Sequence, residues 1–103
     1  MTIDLGALDD FESGRAYPVD VPGRRLVLVR LDDQVYVLSD RCSHEDFPLS
    51  EGEVDVVDRT IECARHGATF ALDTGEPQSL PATHPVERWD AVVEEGRVKV
   101  VGQ

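Results

Sequence analysis

Two short clusters of cysteine and histidine most constrain what this chain can fold into. The first is Cys42-x-His44, and the second, Cys63-x-x-His66, follows after eighteen intervening residues. They contain both cysteines of the protein and two of its three histidines. A thiolate is a soft donor and a neutral imidazole a borderline one, so two of each form a four-ligand set for zinc or for an iron–sulfur centre. The fold must therefore bring two separate loops together around a metal centre.

The pairs and their flanking sequence resemble the Rieske proteins, in which two cysteines bind one iron of a [2Fe–2S] cluster and two histidines bind the other. From about Arg15 to Val101 the order and spacing are similar to a small Rieske-type ferredoxin of the kind that serves aromatic-ring dioxygenase systems. Four stretches extend the resemblance beyond the ligands: Leu49-Ser50-Glu51-Gly52, His66-Gly67-Ala68-Thr69-Phe70, Asp73-Thr74-Gly75 and Leu80-Pro81-Ala82.

The resemblance implies a role for each member of the two pairs. Cys42 and Cys63 would hold one iron as thiolates, and His44 and His66 would hold the other through a ring nitrogen. The expected cofactor is one [2Fe–2S] cluster, and with every ligand position filled the chain should carry electrons and have no catalytic residues. The implied partners are a flavin-dependent ferredoxin reductase and a terminal oxygenase, and the expected oligomeric state is a monomer.

Two other interpretations start from the same residues. A Cys₂His₂ set also binds structural zinc, which would make the chain a zinc-stabilised interaction module. The chain could instead be a redox or assembly partner in iron–sulfur cluster biogenesis. A red-brown colour would exclude the first, and a specific complex with assembly proteins would support the second. His84, the third histidine, stands outside both pairs in a proline-flanked stretch and is interpreted as a non-ligand.

The charge of the chain excludes several classes of partner. Ten basic and twenty-one acidic residues give a net charge of −11, which disfavours nucleic acid and anionic membrane surfaces. No apolar stretch approaches the ~18 residues of a membrane span, and the start of the chain lacks the basic region of a signal peptide. We therefore expect a cytoplasmic protein.

Apolar residues alternate along most of the chain and nowhere keep helical spacing for three turns, so the sequence predicts an all-β fold. Leu26 to Val29 is a continuous apolar run of strand length and predicts a central strand buried on both faces. The other predicted strands are Ile3–Leu5, Arg15–Val21, Val35–Leu38, Glu53–Val57, Thr60–Cys63, Thr69–Leu72, Val86–Glu94 and Arg97–Val100.

These strands and the resemblance together predict a single Rieske domain over residues 1–103. An antiparallel β-sandwich base would be formed by residues 1–39 and 78–103. A cluster-binding subdomain of two hairpin loops, at about 40–77, would be inserted into it. Leu80-Pro81-Ala82 would by resemblance form a third loop that shields the cluster.

The resemblance also bears on the reduction potential. High-potential Rieske proteins carry an additional disulfide between their loops, but the matching positions here are Phe47 and Arg65. The hydroxyls that donate hydrogen bonds near their cluster are replaced by Ala68 and Phe70, which cannot donate. Because hydrogen bonds to sulfur stabilise the more negative reduced state, their absence lowers the potential, and we expect a value around −150 mV.

Overall fold

The computed structural model describes residues 2–41, 48–64, 67–79 and 84–101, and this part of the chain contains strands, turns and two short 3₁₀ helices but no α-helix. The all-β prediction is therefore confirmed. No helix in these ranges is long and apolar enough to cross a membrane. The 3₁₀ helices are Leu8–Asp10 and Leu49–Glu51. The strands are β1 Thr2–Ala7, β2 Ala16–Val21, β3 Arg24–Leu31, β4 Gln34–Ser39, β5 Val54–Asp55, β6 Thr60–Glu62, β7 Thr69–Ala71, β8 Arg88–Glu94 and β9 Arg97–Val101.

The strands form two antiparallel sheets. A six-stranded sheet has the order β1-β9-β8-β4-β3-β2, and a three-stranded sheet has the order β5-β6-β7. In sequence, the small sheet lies between β4 and β8, which are neighbours in the large sheet. The segment that contains the small sheet therefore leaves the large sheet at the end of β4 and returns to it at the start of β8.

Strand β3 is buried on both faces, as its apolar run predicts. Leu26 and Leu28 pack on one side with Val98 of β9, which shows that the large sheet folds back over itself as a sandwich. Val27 and Val29 pack on the other side in a core shared with the three-stranded sheet. Full burial of each such side chain contributes roughly 1.5–3 kcal/mol, so β3 is the strand on which both cores depend.

Two predicted strands are shorter in the structure by more than one residue. The segment predicted as Glu53–Val57 is a strand only at Val54–Asp55. It ends there because the Asp55 side chain accepts hydrogen bonds from the backbone N–H groups of Val57 (3.0 Å) and Asp58 (2.9 Å), which stabilise a turn. The strand predicted to begin at Val86 begins at Arg88.

Trp89 on β8 lies on the sheet face. Its ring is partly buried against the sandwich core, and the Arg24 guanidinium lies 4.9 Å from the ring centroid. This cation–π contact connects the start of β3 to the start of β8 at the end of the sheet where the first ligand loop begins.

Candidate metal centre

The first cysteine–histidine pair follows directly on strand β4. Cys42 and His44 lie outside the described residues, but both ends of their loop are described. Before the loop, Asp40 follows the last residue of β4, and after it Ser50 lies in the 3₁₀ helix Leu49–Glu51. The Asp40 carboxylate accepts hydrogen bonds from the Ser50 backbone N–H (2.7 Å) and from the Ser50 hydroxyl (2.8 Å). These two bonds hold the two ends of the loop together.

The same carboxylate is joined to the large sheet. Arg25 Nε on β3 lies 3.0 Å from Asp40 Oδ2, and the Asp40 backbone N–H donates to the Arg25 carbonyl at 3.1 Å. Leu49, next to Ser50, is fully buried in the core shared by the two sheets. The described ends of the first loop are thus fixed by one apolar anchor and one group of polar contacts.

The second pair begins where strand β6 ends. Cys63 is fully buried and is a free thiol, while His66 and Arg65 lie outside the described residues. The Cys63 N–H donates to the Ala68 carbonyl (2.7 Å), and the Gly67 N–H donates to the Cys63 carbonyl (2.9 Å). Gly67 has φ +74°, a conformation that glycine adopts without steric cost. The loop between β6 and β7 is therefore a tight hairpin that its own backbone closes.

Gly52 allows the backbone that follows the first loop to lie against the end of β6. A Cβ at this position would collide with the carbonyl oxygen of Glu62, the residue before Cys63. The neighbouring backbone is hydrogen-bonded, because the Glu62 N–H donates to the Glu53 carbonyl at 2.8 Å. Gly52 belongs to one of the stretches that resemble the Rieske proteins, and the close approach of two backbones gives it a role.

The chain beyond β7 returns to the second loop. The Ser79 hydroxyl accepts a hydrogen bond from the Thr69 N–H at 3.0 Å, and the Gln78 N–H donates to the Thr69 carbonyl at 2.7 Å. The predicted third loop, Leu80-Pro81-Ala82, follows immediately and lies outside the described residues. His84 is described and exposed, on the far side of that loop in the sequence.

The grooves beside the two loops differ in charge. The groove at the foot of the first loop is lined by Arg24, Arg25 and Arg41, of which the first two pair with Glu87 and Asp40 in the same groove. A second groove, along the three-stranded sheet, is lined by Glu53, Asp55 and Glu62. The net charge of −11 is therefore not spread evenly around the candidate centre.

The described part of the centre fits an iron–sulfur cluster. The Cys63 thiol is excluded from water at the start of a tight hairpin, where a thiolate ligand would be screened from oxidants. The residues around it are apolar, with Ala68 and Phe70 both fully buried. Among the described residues no three Cys, His, Asp or Glu side chains come together as a metal site, so a centre here needs donors from positions 42–47 and 65–66.

Comparison with known proteins identifies the class. The model of the Rieske [2Fe–2S] domain family matches residues 2–90, and the chain belongs to this family. It is 38% identical over 98 residues to ferredoxin CarAc of Metapseudomonas resinovorans, a match that covers 94% of this chain and 90% of that protein.

Solved structures agree with this assignment. The ferredoxin of carbazole 1,9a-dioxygenase from Nocardioides aromaticivorans IC177 superposes with a TM-score of 0.96 at 32% identity, covering 100% of this chain and 99% of that one. A complex of reduced oxygenase and oxidized ferredoxin in carbazole 1,9a-dioxygenase contains a chain with a TM-score of 0.91 and 36% identity, covering 99% and 94%.

Family and fold together establish the general function. The chain carries one [2Fe–2S] cluster and transfers electrons, and it is not itself a catalyst. The comparisons do not favour the zinc-stabilised module or the assembly partner. The Rieske fold predicted from the paired motifs is confirmed.

Proposed function

We propose that this chain is the ferredoxin component of an aromatic-ring oxygenase system, in which it receives single electrons from a flavin-dependent reductase and delivers them to a terminal oxygenase. We also propose that the cluster is held by Cys42 and Cys63 on one iron and by His44 and His66 on the other. The observation that carries the proposal is the buried Cys63 thiol, placed at the start of a hairpin on a fold that superposes on dioxygenase ferredoxins.

The residues of the chain have distinct tasks in this function. When bound, the cluster supplies a centre that accepts and releases one electron without a change in bonding. Cys63 would anchor one iron in a position without water access, and the hairpin hydrogen bonds of Gly67 and Ala68 would keep its backbone from shifting between redox states. A backbone held in one geometry lowers the reorganisation that accompanies each electron transfer.

The identity of the partners is supported by relatives and by charge. A relative of this chain is solved in complex with the oxygenase of carbazole 1,9a-dioxygenase. The acidic groove along the three-stranded sheet would orient a partner that carries a basic patch, since complementary charge mainly increases the rate of correct encounter.

The domain organisation, oligomeric state and compartment complete the proposal. Residues about 40–77 would act as the cluster-binding subdomain of a single domain over residues 1–103, with the base formed by 1–39 and 78–103. Thiolate ligands favour a reducing compartment, so we place the protein in the cytoplasm. We also propose that it is a monomer.

Metal and sulfide analysis of anaerobically purified protein tests the cluster. We expect about two irons and two acid-labile sulfides per chain, a red-brown colour and the electron paramagnetic resonance of a reduced Rieske centre. One zinc per chain with no sulfide would refute the proposal.

Reconstitution tests the partners. Reduced nicotinamide cofactor, a flavin-dependent ferredoxin reductase and a carbazole-type terminal oxygenase would be combined with and without this chain. Product formation that depends on the chain, and fails with its metal-free form, is expected. Cluster-containing protein that supports no oxygenase turnover but forms a stable complex with assembly scaffolds would favour the biogenesis alternative.

A further inference from the structure

We propose that Asp40 is a positioning residue for the cluster, because its buried carboxylate closes the first ligand loop and places a negative charge beside it that Arg25 partly offsets. The inference rests on the proposed function, since it takes Cys42 and His44 as ligands. It concerns residues outside the four proposed ligands, whose contacts are not visible in the sequence.

Among the described residues, Asp40 is the one charged residue that is buried, and its carboxylate is inaccessible to solvent. A carboxylate removed from water is costly unless hydrogen bonds compensate it. Among the described residues it contacts three donors: the Ser50 N–H at 2.7 Å, the Ser50 hydroxyl at 2.8 Å and Arg25 Nε at 3.0 Å. The carboxylate is therefore held in a defined orientation as an acceptor.

These contacts join the two ends of the first ligand loop. Asp40 precedes Cys42 by two residues, and Ser50 follows His44 by six. The Asp40–Ser50 pair thus spans the whole first loop and clamps its two ends. Without the pair, the loop would gain conformational freedom, and each ligand would spend less time in the geometry that binds iron.

The carboxylate also acts through its charge. The Cα atoms of Asp40 and Cys42, two residues apart, are separated by at most about 7 Å. A negative charge in this low-dielectric setting opposes the addition of an electron, and the guanidinium of Arg25 works in the opposite direction. Arg25 is 53% exposed, so its contribution is partly screened by solvent.

Three variants separate the effect of the hydrogen bonds that close the loop from the effect of the Asp40 charge. Asp40→Asn keeps the shape and the acceptor for the Ser50 N–H, but it removes the charge and presents an NH₂ group to Arg25. Ser50→Ala removes one hydrogen bond without a change in charge. Arg25→Gln leaves the carboxylate buried without its cation. The matched control is Asp90→Asn, which removes a carboxylate from the exposed ion pair with Arg88 on β8.

Two measurements are made on cluster-containing protein: the rate of iron release to an external chelator, and the midpoint potential by protein-film voltammetry. We expect release to be about tenfold faster in Asp40→Asn and severalfold faster in Ser50→Ala, the size of one lost charge-assisted or neutral hydrogen bond. The potential should rise in Asp40→Asn, fall in Arg25→Gln and change little in Ser50→Ala. Asp90→Asn should match the wild type in both measurements.

Opposite shifts of potential in Asp40→Asn and Arg25→Gln are the result that a purely structural role would not produce. Wild-type release rates in Asp40→Asn and Ser50→Ala would overturn the clamp, and shifts of the same sign would overturn the charge effect. If Asp40→Asn does not fold, a wild-type release rate in Ser50→Ala overturns the clamp, and a potential that does not fall in Arg25→Gln overturns the charge effect. A wild-type protein that purifies with zinc would instead refute the proposed function, so the two failures are distinguishable.

Discussion

The two ligand loops are closed by different kinds of contact. The second loop, between β6 and β7, is a short hairpin in which Cys63, Gly67 and Ala68 hydrogen-bond through their own backbones. The first loop is longer, and its ends are held by the Asp40 side chain and by the apolar anchor Leu49. A longer loop loses more entropy when it is ordered, and it lacks a strand pair that continues through it. Side-chain contacts therefore hold the ends of the first loop together, whereas backbone hydrogen bonds continuing from the strand pair hold those of the second.

This difference means that the two loops should respond differently to substitution. The second loop should tolerate changes of surface side chains as long as β6 and β7 remain paired. The first should be sensitive to single residues some distance from the ligands, because few contacts hold it. The predictions that follow test this contrast, beginning with the largest expected effect.

The largest effect is expected where the loops act alike, at the ligands themselves. Cys42→Ser, Cys63→Ser, His44→Ala and His66→Ala should each abolish the native cluster, since each removes one of four donors. Visible absorption of the purified variants measures this. His84→Ala is the control and should keep a wild-type spectrum. A variant of either pair that retains the native spectrum would remove that residue from the proposed ligand set.

The next effect tests the contact between the loops. Gly52→Ala should destabilise the protein by at least about 3 kcal/mol, because the added Cβ overlaps backbone that is hydrogen-bonded on both sides and cannot easily move. Chemical denaturation of the metal-free protein measures the loss without contribution from the cluster.

Gly23→Ala is the matched control for that change. Gly23 has φ +84° with nothing within 4 Å of a built Cβ, so only backbone strain of about 1–2 kcal/mol is expected. Equal losses in the two variants would show that the close approach at Gly52 does not restrain the loops.

A moderate effect is expected inside the second loop. Ala68 and Phe70 are fully buried beside Cys63 and lack a hydroxyl. Ala68→Ser and Phe70→Tyr introduce donors where high-potential relatives have them, so the midpoint potential should rise from near the low end of the Rieske range by some tens of millivolts. Protein-film voltammetry measures the shift. A wild-type potential well above zero would contradict the low-potential prediction on which this rests.

The smallest effect is expected far from both loops. Asp4 on β1 accepts two hydrogen bonds from Arg97 on β9, at 3.0 and 2.9 Å, and this contact lowers the pKa of the Asp4 carboxyl below 3.8. The Asp4–Arg97 pair stabilises the folded state above that ordinary pKa, and this stabilisation is lost as the pH falls through the lowered pKa of Asp4. Arg97→Gln should therefore have a slightly lower free energy of unfolding than wild type at neutral pH, and this gap should disappear in acid.

Urea denaturation of the metal-free proteins from pH 7 to below pH 3 checks this, with the visible spectrum of the cluster-containing variant at pH 7 as control. The pair is solvent-exposed, so added salt should also reduce the gap. A gap that widens in acid, or a changed spectrum, would contradict the assignment of this pair to the base sheet alone.

The features that local sequence predicts are those whose physics is local. Alternation of apolar residues predicted nearly every strand, and the four-residue apolar run predicted the burial of β3 on both faces. The Rieske fold was predicted from the resemblance of the two paired motifs and their flanking stretches to that family, since the ligand types alone also suit zinc. The length predicted for β5 was wrong, since the Asp55 side chain ends that strand earlier than the apolar pattern suggests.

Only the tertiary structure decided how the first loop is held. Asp40 and Gly52 look like ordinary loop residues in the sequence, because the groups that give them a role, Arg25, Ser50 and Glu62, are ten or more residues away and meet them only after the sheets have formed. The grouping of three carboxylates along the groove of the three-stranded sheet arises in the same way. The sequence alone thus predicted, by resemblance, which groups bind the cluster, whereas the packing of distant strands determined what holds the ends of the first loop, since buried charge and backbone contact depend on three-dimensional proximity.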